Sequence, residues 1–200
     1  PSLQDTNKDF YMNRWLILLF TCVSQIAVAD WSLDNNNSRL NFVTTKKGSV
    51  SEIQTFKSLS GNIDAKGHIN FSIDLNSVDT AIPIRDERMQ EHLFNTAKFP
   101  AMTLTATIAS DTLSAMTSGT SKVIDIKADI NLHGIKATMP ASVLVSKLSK
   151  GTILVTSYKP VIIKADTFKL TAGIDKLKAL AKLPSIDYTV PVSFSLTFNQ

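Results

Sequence analysis

Residues Ser77 to Pro100 read SVDTAIPIRDERMQEHLFNTAKFP, and the fold follows from what this stretch joins. Before it, Ile69, Phe71, Ile73 and Leu75 alternate with Asn70, Ser72, Asp74 and Asn76. After it, Met102, Leu104, Ala106 and Ile108 alternate with Thr103, Thr105 and Thr107. A period of two gives a β-strand one dry face and one wet face. The joining stretch has another character. Pro83 lacks the N–H that a strand interior needs. Asp86 is placed to cap a helix whose Met89 and Leu93 share a face. Phe99-Pro100 stops that helix, because the residue before a proline avoids the helical region. The stretch therefore reads as a helical plug between two strands of a barrel, covering one end.

The same alternation recurs outward from this point. Ile124, Ile126, Ala128, Ile130 and Leu132 alternate with Asp125, Lys127, Asp129 and Asn131. Met139, Ala141, Val143 and Val145 give the next apolar face. The last strand is the cleanest, with Tyr188, Val190, Val192, Phe194, Leu196 and Phe198 on one side. Pro191 falls on its polar phase, which predicts an edge or bulge position. Near the start, Trp31, Leu33, Leu40 and Phe42 flank a turn at Asn35-Asn36-Asn37, and Lys46-Lys47-Gly48 marks a hairpin. Val50, Ile53, Phe56 and Leu59 alternate imperfectly. Between Gly173 and Leu183, Ile174, Leu177, Leu180 and Ala181 take helical spacing that Pro184 ends. After Asp30 there is no repeat or linker. The fold class is all-β: an antiparallel, up-and-down barrel of about eight strands with one or two short helices. Closure of such a sheet removes its edges.

Composition narrows the function. At 44% hydrophobic residues the chain can build a core, so disorder is excluded. A net charge of +4 is spread without runs, which gives no clustered basic face for nucleic acid. It leaves room for transient contact with an anionic membrane surface. Pro1 to Tyr11 form a polar upstream extension before Met12. From Met12 the pattern is that of a secretory signal: Arg14, an apolar core from Trp15 to Val23, and the small-x-small site Ala27-Val28-Ala29. The expected order is extension 1–11, signal peptide 12–29 and a barrel domain 30–200 that is periplasmic. Cys22 is the only cysteine and is lost with the signal, which excludes disulfides and cysteine chemistry in the mature protein.

No catalytic set emerges. His68, His92 and His133 lack metal-ligand spacing, and no serine sits in a Gly-x-Ser-x-Gly elbow. We expect no enzyme, no metal and no cofactor. The inward set is instead Phe42, Phe71, Ile73, Met102, Leu104, Ile126, Ile130, Val143, Phe194 and Phe198, with no charge interrupting it. An eight-stranded barrel has an interior that side chains either fill or leave open for one small ligand. Alternation alone does not decide between the two.

A scattered set of residues does bear on that choice. Ser77-Val78-Asp79-Thr80, Arg85-Asp86, Leu93-Phe94-Asn95 and Lys98-Phe99-Pro100 together resemble the signature of the YceI-like family. Asp30-Trp31-Ser32-Leu33-Asp34 and His133-Gly134-Ile135-Lys136 extend the resemblance from about Asp30 to the end of the chain. It is the combination that is specific. The resemblance implies a secreted lipocalin-like barrel that holds a polyisoprenoid lipid or isoprenoid quinone in an apolar tunnel. On that implication the ligand-binding residues are Phe42, Phe71, Ile73, Met102, Leu104, Ile126, Ile130, Val143 and Phe194. Arg85 and Asp86 on the plug would meet a head group or hold the lid shut; as a pair they also suit a helix cap and a loop tie. The expected partner is a lipid, and a homodimer is compatible with the sequence. Two alternatives stand beside the carrier: an outer-membrane barrel, for which Tyr188–Phe198 resembles an amphipathic terminal strand, and a stress-related barrel without a ligand.

Overall fold

The computed structural model describes residues 30–109 and 111–200. The expected extension, signal segment and Cys22 lie outside the described residues. Twelve strand segments form one antiparallel sheet: β1 (Trp31–Leu33), β2 (Arg39–Lys46), β3 (Val50–Phe56), β4 (Leu59–Ile63), β5 (His68–Asp74), β6 (Val78–Asp79), β7 (Ala101–Thr107), β8 (Ser121–Leu132), β9 (Ile135–Ser149), β10 (Thr152–Ser157), β11 (Val161–Lys164) and β12 (Thr189–Asn199). They make eight ribbons, because four ribbons are broken in the middle. β1 continues into β2, β3 into β4, β5 into β6, and β10 into β11. Pairing respects the breaks: β1 meets β4 while β2 meets β3, and β3 also meets β6 while β4 meets β5. Sequence neighbours are spatial neighbours throughout, so this is the up-and-down barrel that the alternation predicts.

The breaks have identifiable causes. Asp34 caps a single 3-10 turn at Asn35–Asn37, accepting from the backbone N–H groups of Asn36 and Asn37. Asn35 then bridges to the next ribbon, donating through Nδ2 to Lys57 O at 3.0 Å and accepting from Leu59 N at 2.7 Å. A second turn at Leu75–Ser77 is capped by Asp74. Ser77 O accepts from Lys57 N, and Ser77 Oγ accepts from Ser58 N, each at 3.0 Å. Three adjacent kinks are thus stitched into one corner of the barrel, and their backbone groups are paired although the ladder is interrupted.

The barrel closes where β12 pairs with β1 and β2. Ser38 sits at this seam at 2% exposure, donating to Asp34 O at 2.7 Å and accepting from Thr197 N at 3.0 Å. Pro191 lies one residue beyond the end of the β2–β12 ladder, which stops at Phe42 opposite Val192. Its β2 side is unpaired there, while on the other side it stands within the β11–β12 ladder opposite Ile162.

Short helices lie at the two ends. α1 (Pro83–Arg88) runs directly into a π-type turn, Met89–Phe94. Its N-cap is Ile82 with Pro83 at the first helical position, so Asp86 is not the cap. Asp86 lies within the first turn and accepts from Thr80 N at 2.9 Å and from Thr80 Oγ1. The carboxylate ties the approach loop to the helix instead. α2 (Asp111–Ser114) is a single turn, too short to show a period in the sequence. α3 (Thr171–Leu180) starts earlier and stops sooner than its periodicity implies. It packs on the π-type turn through Gly173, where an added Cβ would stand 2.7 Å from His92 O and 2.9 Å from Leu93 Cα. Only glycine permits that approach. Tyr188 also departs from expectation. It precedes β12, is 42% exposed, and its hydroxyl donates to Asp175 Oδ1 on α3 at 2.7 Å.

Candidate binding cavity

The inward phases of the strands do not meet in the middle. They enclose a cavity of about 590 Å³. That size falls within the range of roughly 300–1,000 Å³ usual for small-molecule sites. Phe42, Phe71, Ile73, Met102, Leu104, Ile126, Ile130, Val143 and Phe194 all line it, as does Phe198. The opposite phase points to water: Thr103, Thr105, Asp125, Lys127 and Asp129 are exposed. The barrel is hollow, not filled by its own side chains.

One end is sealed. Ile153 and Phe198 line the cavity there at 0% and 2% exposure, and Leu113 of α2 closes over them at 7%. Lys147 holds α2 down, its Nζ donating to Leu113 O at 3.1 Å while lying 6.0 Å from the centre of the Trp31 ring. The other end is open. Ile82 and Ile84 line the cavity and yet are 45% and 51% exposed, so the mouth lies beside α1. Between the two ends the lining is almost wholly apolar.

The mouth corrects the expectation that no charge interrupts the inner faces. Lys46, Glu52, Arg85, Arg88 and Asp187 line the cavity. Glu52 on β3 joins two of them: Lys46 Nζ lies 2.8 Å from its Oε1 and Arg85 Nη1 lies 2.6 Å from its Oε2. Arg85 also donates through Nη2 to Thr80 O at 2.6 Å. Hydrogen bonding from Lys46, then from Arg85, holds the Glu52 carboxyl below the ordinary glutamate range against the opposing effect of burial. This triad clips α1 to the β2–β3 hairpin. Arg85, singled out from the sequence, therefore lines the cavity and fastens its lid. Asp86 is not among the lining residues.

Glu52 and Gln54 are among the lining residues that the sequence reading does not find. β3 turns Glu52, Gln54 and Phe56 inward, and Ile53 outward at 74% exposure. The apolar Ile53 stands on the wet phase, which hides the inward run. Gln54 is 4% exposed and donates through Nε2 to Thr44 Oγ1 of β2 at 2.9 Å. Counting back by twos from Phe56 would have found both positions. Among the described residues no cluster of three His, Cys, Asp or Glu side chains could hold a metal ion.

The geometry agrees with comparisons to known proteins. A family model described as the YceI-like domain matches residues 31–198. The chain belongs to the YceI-like family. Among solved structures, a YceI-like relative is a polyisoprenoid binding domain from Saccharophagus degradans, implicated in plant cell wall breakdown. It is 38% identical, with a TM-score of 0.83, over 84% of this chain and 97% of that one. BcnA of Burkholderia cenocepacia shares the fold at 18% identity and a TM-score of 0.64, over 82% of this chain and 98% of its own. The Campylobacter jejuni YCEI protein does so at 16% identity and 0.54, over 74% and 84%. No curated protein matches the chain.

Proposed function

We propose that this YceI-like protein is a periplasmic binding or carrier protein that holds a polyisoprenoid lipid or isoprenoid quinone in its barrel. The observation that carries the reading is the continuous apolar cavity, sealed at α2 and open beside α1. An isoprenoid chain placed there leaves water at a gain of roughly 0.8 kcal/mol per methylene. The polyisoprenoid-binding relative at 38% identity supports the ligand class. The expected signal pattern over 12–29 supports the compartment. The outer face of β8 bears Asp125, Lys127 and Asp129, where an outer-membrane barrel needs an apolar band.

Organic extraction and native mass spectrometry of protein purified from a bacterial periplasm test both parts. The expected result is a chain beginning at Asp30 with one isoprenoid lipid bound. A protein that carries no lipid and takes up none from vesicles overturns the carrier reading, and a retained Met12–Ala29 segment overturns the localisation.

A further inference from the structure

The two ends of the barrel differ in charge as well as in closure. Up-and-down order brings the β2–β3 turn, the stretch from Thr80 to Pro100 and the stretch from Lys164 to Tyr188 to the open end. Lys47, Lys164, Lys169, Lys176 and Lys182 are exposed there, and none of them enters an ion pair among the described residues. Of the exposed acids at this end, Asp175 is held by Lys178 and Glu91 faces His92. That leaves Glu87, Asp166 and Asp187 against the lysines. Around the sealed end Asp30, Asp64 and Asp111 offset Lys66, Lys147 and Lys150. The excess positive charge is therefore gathered about the mouth.

The mouth is also where large apolar side chains meet water. Ala81, Ile82, Pro83 and Ile84 are exposed in succession as the chain enters α1. Val50, just past the β2–β3 turn, is 43% exposed. Beyond α3, Ala181 and Leu183 line the cavity and Pro184 is exposed. Hydrogen bonds join the turn to this last segment: Lys47 N donates to Ser185 O and Gly48 N to Ser185 Oγ, each at 3.1 Å. Apolar residues exposed together and flanked by lysines suit a lipid interface, where the apolar groups enter the acyl boundary and the ammonium groups stay among the head groups.

We propose that the rim of the mouth is a docking surface for an anionic bilayer, with α1 and the end of α3 against the lipid. This rests on the carrier reading: a guest drawn from a bilayer then passes from acyl chains into the cavity without its tail crossing water. A second copy of this chain is a poorer occupant, because it would set one ring of lysines against another.

The test floats protein purified from a bacterial periplasm with vesicles of phosphatidylethanolamine and phosphatidylglycerol in equal parts, or of phosphatidylcholine alone. The protein is expected to float with the anionic vesicles at low salt, to stay behind with the neutral ones, and to be largely released at about 1 M salt, where charges act over only about 3 Å. Lys47→Gln, Lys176→Gln and Lys182→Gln are each expected to weaken partition about fivefold, equivalent to about 1 kcal/mol per lysine at a charged surface. Each is expected to bind a fluorescent fatty probe in solution as the parent does, which shows that it folds. Ile84→Trp and Leu148→Trp report orientation; Leu148 is 54% exposed near the sealed end of β9. Brominated lipid is expected to quench the first and spare the second. Equal binding to neutral and anionic vesicles, lysine variants that partition as the parent does, or equal quenching at both positions overturns the docking surface. So does a doubled mass in solution with the tryptophan at position 84 shielded from iodide before vesicles are added, which makes the rim an interface between copies. Protein that takes up a prenol from dilute detergent but ignores the vesicles overturns the docking alone. Protein that docks by this face and takes up no prenol overturns the carrier reading alone.

Discussion

Shortening the guest by one isoprene unit at a time measures the cavity from inside. The cavity of about 590 Å³, closed at one end by Ile153 and Phe198, admits a chain of limited length. Burying the five carbons of one unit is worth about 4 kcal/mol at roughly 0.8 kcal/mol per carbon. Freezing its rotatable bonds returns about half of this, at roughly 0.5–1.5 kcal/mol per immobilised flexible group. The net is about 2 kcal/mol, or roughly thirtyfold in affinity for each unit. Calorimetry or displacement of a fluorescent fatty probe, run over a series of prenols, reads this directly. Affinity is expected to climb about thirtyfold per unit while the added units lie inside the barrel, then level off as further units project past Ile82 and Ile84 into water. An affinity indifferent to chain length over the first units refutes the reasoning, because it means that the tail does not enter the barrel.

Three further outcomes are expected. Ser38→Ala strands Asp34 O and Thr197 N at the seam and lowers stability by about 1–3 kcal/mol in urea unfolding. Gly173→Ala improves helix propensity by about 1 kcal/mol but drives a Cβ into the His92 carbonyl; ligand release quickens and the melting temperature falls, whereas a rise in melting temperature shows that α3 does not bear on the π-type turn there. Glu52→Gln weakens the clip on α1. Because the folded carboxyl lies below its ordinary value of 4.5, the stability it contributes is present above that pH and is lost as pH falls through the folded value. The gap between parent and variant urea midpoints should therefore be wide at neutral pH and close under acid conditions.

Much of the barrel was legible in the sequence, and the exceptions have a common origin. Alternation at Ile69–Ile108, Ile124–Leu132 and Val190–Phe198 fixed which residues face inward, because one phase of each strand must stay dry. It did not show that the eight ribbons break into twelve segments, since those breaks rest on Asn35 and Ser77 bonding across to a neighbouring ribbon. Nor did it find Glu52 and Gln54. On β3 the apolar residue Ile53 faces water and the polar ones face in, so the polar end of the cavity inverts the usual rule. Asp86 reads as a cap in the sequence, but Pro83 opens the helix one turn earlier. Whether the barrel is hollow was not written in any strand. It depends on how far the walls stand apart, which eight-ribbon closure sets and no single stretch of sequence records.

Placing the first and last ribbons side by side also dictates when the protein can exist at all. Thr189–Asn199 hydrogen-bonds to β1, β2, β10 and β11, so four segments wait for these final residues. A nascent chain released up to α3 has two open sheet borders and no enclosed space, and contacts spanning nearly its whole length form last and slowly. The polypeptide is thus kept pliable, and unable to capture a guest, until β12 arrives. Binding competence is in this sense an all-or-nothing property of the closed barrel.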